Sequence, residues 1–158
     1  MLIKILEILR IAGVSIGMYI SYSIGMATST PPESVLHLIS PWVLVSIAGT
    51  SAIEGIFFGK QSAAEKGFEQ GSNYQKQSAF GLLSYAILSL VVYFGKLGTN
   101  AEITILLAFM TFMVLSSSNH AYEAIAKKNY KWANLNRPFL TLLLIVGMWY
   151  PVVNTLFK

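Results

Sequence analysis

Cysteine is absent from the sequence, and charge of either sign is scarce. The first absence excludes disulfides, thiolate metal centres and thiol nucleophiles. The second excludes an ordinary water-soluble globule: only 11% of the 158 residues are charged, against roughly 25% in soluble domains. With 54% hydrophobic residues and a mean hydropathy of +0.59, the chain needs a solvent that accepts apolar surface, and a bilayer is such a solvent. Histidine is limited to His37 and His120, neither HExxH nor ExxH occurs, and no metal site is expected. Gly-rich phosphate loops are missing, and no serine sits in a nucleophile elbow of strand, turn and helix. No catalytic residue and no cofactor is therefore assigned. A pI near 9.3 would ordinarily raise nucleic acid as a partner. In a membrane protein the basic residues set orientation and are read loop by loop, so no nucleic acid is expected.

What is present is a series of five apolar stretches. They imply an all-α integral membrane bundle of five transmembrane helices in one domain, with spans at about 8–27, 41–59, 78–95, 102–122 and 138–157. Each reaches the length of about 20 residues that a bilayer requires. With the N-terminus inside, Lys4, Arg10, Lys60, Lys66, Lys76, Lys127, Lys128, Lys131 and Arg137 fall on the cytoplasmic side, and only Lys96 and Lys158 fall outside. That bias is the one the positive-inside rule predicts. It places the C-terminus outside and the protein in a cell's inner membrane as a multi-pass chain. Trp42, Tyr130 and Trp132 stand where headgroup-level aromatics belong. Pro31-Pro32 ends the first stretch, Pro41 and Pro138 read as helix starts, and Pro151 predicts a kink. The two cytoplasmic loops, Gly59–Ser78 and Glu123–Arg137, have room for short interfacial helices, the first interrupted at Gly71-Ser72. The competing reading of the first segment is a cleaved signal peptide, with Lys4 and Arg10 as its charged region and Gly25-Met26-Ala27 as a small-x-small site.

Polar residues inside the apolar stretches are the candidate site. Glu54 lies thirteen residues after Pro41, about 20 Å along a helix. A carboxylate at that depth faces protein or water and marks a proton, cation or ligand site. Lys60 at the cytoplasmic end is about 9 Å away, and the plainer reading is an interfacial carboxylate capped by a loop lysine. In the fourth stretch the apolar run Ile103–Leu115 is too short to span, so the helix must continue through Asn119 and His120. Ser116, His120, Glu123 and Lys127 then share a face; the plainer reading of its end is a Glu123–Lys127 pair one turn apart. Depths of about 20 Å for Glu54 and 26 Å for His120 differ by roughly one turn. The expectation is a polar pocket in which Glu54 and His120 lie within a side chain or a water of each other, joined by Asn119, Glu123 and Gln77. Gly13 and Gly17, followed by Ser21 and Gly25, and Ser51 with Gly55 form small-residue faces for close helix packing, either within the bundle or at a dimer seam.

Three segments resemble a family of small, multispanning bacterial and archaeal membrane proteins classed as a domain of unknown function. They are Gly71 to Phe80, with its Gly-Ser and Tyr74-Gln75 leading into the third span; His120 near the end of the fourth; and Asn129-Tyr130 with Asn134 or Asn136 before the last. The resemblance runs from about Glu54 to the C-terminus. Where that family usually has an acidic residue after the Gln, this chain has Gln77-Ser78. The resemblance implies a helical membrane fold and no established activity.

The function expected from these residues is the binding or passage of a small solute, ion or lipid through a cytoplasm-facing polar pocket. An accessory subunit of a larger membrane complex and a lipid-modifying membrane enzyme are the alternatives. Membrane lipids are the expected partners, with a homo-oligomer or a larger complex left open.

Overall fold

The structure, a computed structural model, describes residues 2–157, and every described element is a helix: α1 Leu2–Thr28, α2 Pro32–Phe57, α3 Gly59–Lys66, α4 Asn73–Phe94, α5 Thr99–Ala126 and α6 Trp132–Leu156. Four of them, α2, α4, α5 and α6, are long and apolar enough to cross a membrane, which marks the chain as a membrane protein. Their surfaces agree. Phe57, Ile87, Phe94, Leu115, Leu142, Val146 and Trp149 are all exposed, a distribution stable only where lipid covers it.

Helix α2 is the centre of the bundle. It packs against α1, α4, α5 and α6, and its apolar window is 44% buried against 22–28% for the other three. Leu36, Ile39, Val43, Leu44 and Ala48 of α2 meet Leu106 and Phe109 of α5 and Met148 of α6 in the core. This corrects the expected start of the second span. The helix begins at Pro32, where a proline is tolerated because the first turn has no donor to lose, and Pro41 is interior. Val35, Leu36 and Ile39, read as loop, follow helical spacing and are buried. Pro138 is likewise interior, the seventh residue of α6 rather than its first.

Below Pro41 the helix widens into one π-helical turn, Val45–Gly49, which inserts an extra residue and rotates everything after it. At Phe58 the chain leaves helical geometry and turns into α3. Helix α3 ends at Gly67, with φ +70, where Gly67 N and Phe68 N donate to Ala64 O and Ala63 O at 3.2 and 2.9 Å. This double bond pattern needs the left-handed residue that glycine supplies. Ser72 then caps α4 by accepting from Tyr74 N at 3.2 Å.

The small residues set the helix spacing. A side chain at Gly13 would strike Ser46, and one at Gly17 would strike Trp42, so this face of α1 lies directly on α2. Gly55 does the same for α2 and α4, with Ala79 Cβ 2.6 Å from where its own would stand.

Candidate functional site

Glu54 sits near the C-terminal end of α2 and is 3% exposed. Three other helices bring it partners. Arg10 of α1 donates from Nη2 to Oε2 at 2.7 Å and from Nε to Thr50 Oγ1 at 3.1 Å. Lys66 of α3 donates from Nζ to Oε1 at 2.6 Å. Ser62, one turn earlier on α3, donates to the same oxygen and accepts from Lys66. Arg137 of α6 stands 3.8 Å away. Three cations thus surround one carboxylate. The loop lysine that caps Glu54 is thus Lys66 and not the exposed Lys60, because the turn at Phe58 carries the helical i,i+4 pair Ser62 and Lys66 under it. Burial, aided by Arg137, lowers the Lys66 ammonium to about 8, with Glu54 opposing the shift.

His120 is built into a different cluster. Its Nδ1 lies 2.7 Å from Asn134 Oδ1, and Phe68 stacks on its ring at 5.3 Å. Asn134 Nδ2 donates to Lys66 O at 3.2 Å and to Asn129 O at 3.0 Å. Its oxygen is therefore the atom that faces the imidazole, and in the neutral ring the proton belongs on Nδ1. Asn129 Nδ2 also holds Lys66 O, at 3.0 Å. The end of α3 is thereby tied to α5 and α6, and Lys66 is held at both ends of its residue.

Both clusters line one cavity of about 530 Å³ between α1, α2, α4, α5 and α6, within the size range of small-molecule sites. Its polarity is graded in one direction on all five helices. At one end, the inner end of the expected topology, stand Arg10, Glu54, Gln75, His120 and Arg137; toward the other stand Met18, Ile47, Leu82, Phe112 and Leu144. Ser51 and Asn119 line it as well. Thr141 of α6 lines it while 3% exposed, and its Oγ1 has no hydrogen-bond partner.

Two expected pocket residues lie elsewhere. Gln77 is exposed and outside the cavity, because Gln75, Ser78, Ala79 and Leu82 form the inward face of α4 and position 77 falls on the other side. Glu123 pairs with Lys127 at 2.6 Å and lines a smaller recess outside, with Gly67, Phe68 and Asn119. Ser15, inside the letters Gly13-Val14-Ser15-Ile16-Gly17, is mid-helix in α1 with no turn to present it. Among the described residues no group of acidic and histidine side chains could hold a metal ion.

The roles of Arg10, Lys66, Arg137 and Thr141 were not visible in the sequence. The only local sign was the four-residue spacing of Ser62 and Lys66. At the opposite end of the bundle, His37 of α2 bonds through Nδ1 to Glu102 of α5 and stacks on Tyr93 of α4 at 4.6 Å, so a residue expected in a loop fastens three helices.

Residues 7–153 match the model of a family of unknown function, DUF6790, which extends the resemblance seen from Glu54 onward to nearly the whole chain. No curated protein and no solved structure matches it.

Proposed function

Since the chain belongs to that family of unknown function, we propose its role from the site alone: an inner-membrane protein of five spans, N-terminus inside and C-terminus outside, that binds or passes a small solute, ion or lipid through a cavity facing the cytoplasm. The observation that carries this reading is the graded cavity, whose charged end lies at the same end of the bundle as the basic loops. The fifth span rests on α1. It lies along α2 through Gly13, Gly17 and Gly25, opposite Ser46, Trp42 and Val35 in turn, and no charge occurs from Ile11 to Thr28. A helix packed along the length of a spanning neighbour shares its slab of lipid. The basic bias then sets the orientation.

The absence of cysteine makes the test direct. In inverted and right-side-out vesicles, Ser51→Cys should react with a small charged methanethiosulfonate from the cytoplasmic face only. Ser29→Cys and Gln70→Cys should label from opposite faces. Failure of Ser51→Cys to react from the cytoplasmic face sinks the cavity reading, and same-side labelling of the other two sinks the topology.

A further inference from the structure

The cations at the inner end are not equally engaged. Arg10 is spent on Glu54 and Thr50, and Lys66 on Glu54 and Ser62. The Arg137 guanidinium makes no hydrogen bond to any described residue, and its nearest carboxylate oxygen is 3.8 Å away. A guanidinium carries five N–H donors in a planar fork. Here 26% of the side-chain surface is accessible, although Arg137 lies in the bundle and lines the cavity.

Charge points the same way. Three cations face Glu54, and a second carboxylate, Glu7, accepts from Asn136 Nδ2 at 3.5 Å and acts on Arg137 through its charge without an ion-pair contact. The inner end keeps a positive excess even with Glu7 counted. One turn from Arg137, on the same face of α6, Thr141 holds its unpartnered hydroxyl at the cavity wall. A buried hydroxyl without a partner is costly, and a ligand oxygen removes the cost. Past Thr141 the wall is formed by Met18, Ile47, Leu82, Phe112 and Leu144, and from Arg137 to Leu144 it is about 10 Å long. Ile11 and Leu143 line it while 42% and 50% exposed, so one layer of side chains separates it from lipid at the α1–α6 seam.

We propose that the cavity binds an acidic amphiphile, a carboxylate or phosphate headgroup on a single apolar chain. Arg137 anchors the headgroup through its fork, Thr141 donates beside it, and the chain lies along Leu140 and Leu144 toward Met18. A guanidinium matches the paired oxygens of either headgroup. The apolar end excludes a small inorganic anion as the full ligand, because such an ion would leave that end empty. This inference rests on the ligand-binding reading above and narrows it.

The test is ligand-dependent melting and calorimetric titration of the whole protein in a neutral maltoside detergent. Decanoate, decyl phosphate or both should raise the melting temperature by several degrees, and which of them acts identifies the headgroup. Decan-1-ol, decyltrimethylammonium and inorganic phosphate should not. Arg137→Gln should weaken binding about tenfold, the usual scale for a charge-assisted bidentate contact. Thr141→Val, which keeps the side chain's volume, should weaken it by a smaller factor, so the proposal remains testable if Arg137→Gln does not fold. Equal stabilisation by decan-1-ol overturns the proposal, as does full stabilisation by inorganic phosphate alone or unchanged affinity in both variants. Cytoplasmic labelling of Ser51→Cys without binding of either anionic amphiphile removes this inference and leaves the cavity reading standing.

Discussion

Tyr22 donates from its hydroxyl to the carbonyl of Gly147 at 2.6 Å, supplying the hydrogen bond that Pro151 cannot. In an unbroken α-helix the N–H of residue 151 would bond to that carbonyl, and proline has none. A residue in α1 therefore completes the backbone of α6, and Met18 lies against Gly147 beside it.

This pairing predicts a coupling. Tyr22→Phe should lower stability by about 1 kcal/mol, the scale of a hydrogen bond between membrane helices. Pro151→Ala returns an N–H to the Gly147 carbonyl, so in that background the same substitution should cost less than half as much. Unfolding in mixed micelles measures all four proteins. Additive costs would falsify the assignment.

Glu54 is predicted to hold the fold as well as the site. Glu54→Gln leaves Arg10, Lys66 and Arg137 facing one another without a counter-charge. Breaking a buried ion pair from one side costs about 3 kcal/mol or more. The melting temperature of Glu54→Gln should fall sharply, and Arg10→Gln added to it should recover part of the loss. If the double variant melts lower than Glu54→Gln alone, the three cations are not held by this carboxylate.

Lys66 predicts opposite pH trends for folding and for binding. It lies on α3, outside the spans, and burial, with Arg137 next in size, lowers its ammonium from 10.5 to about 8. Below about pH 8 folded and unfolded chains both carry the proton, and the cost of burying the charge is present in full. Between about 8 and 10.5 the folded protein has released the proton while the unfolded chain retains it, so stability rises with pH across that window. Decanoate stays ionised there, and its affinity follows the folded protein's own Lys66 near 8, so it should fall between about pH 7 and 9, roughly fivefold for the loss of one nearby charge at about 1 kcal/mol. Lys66→Arg should flatten both trends. A wild-type affinity that does not change from pH 7 to 9 contradicts the placement of Lys66 at the site.

The sequence and the structure part where long-range contacts begin. Helices α4, α5 and α6 were legible because a bilayer demands long apolar runs, and these runs have few rivals in the sequence. The start of α2 was hidden by Glu33, Ser34 and His37, which read as loop. His37 and its bond to Glu102 have no local signature. Glu54 stood out for its depth, but its partners did not. Arg10 and Arg137 were counted only as charges that set orientation, a rule that gives the side of the membrane and no role. Gln77 was misplaced and Gln75 missed because a helix face depends on phase, and phase on the cap at Ser72.

The spread of Glu54's partners along the chain orders how the protein is made. Arg10 and Glu54 belong to the first two helices, so the hairpin α1–α2 carries a matched pair of charges rather than two costly single ones. Lys66 follows directly from the same hairpin. Arg137 emerges last, on a helix with no acidic residue of its own, and finds its counter-charge only on earlier helices already in place. Insertion of α6 is thereby tied to assembly: a nascent chain whose first hairpin has misfolded offers its final helix nowhere to put that charge.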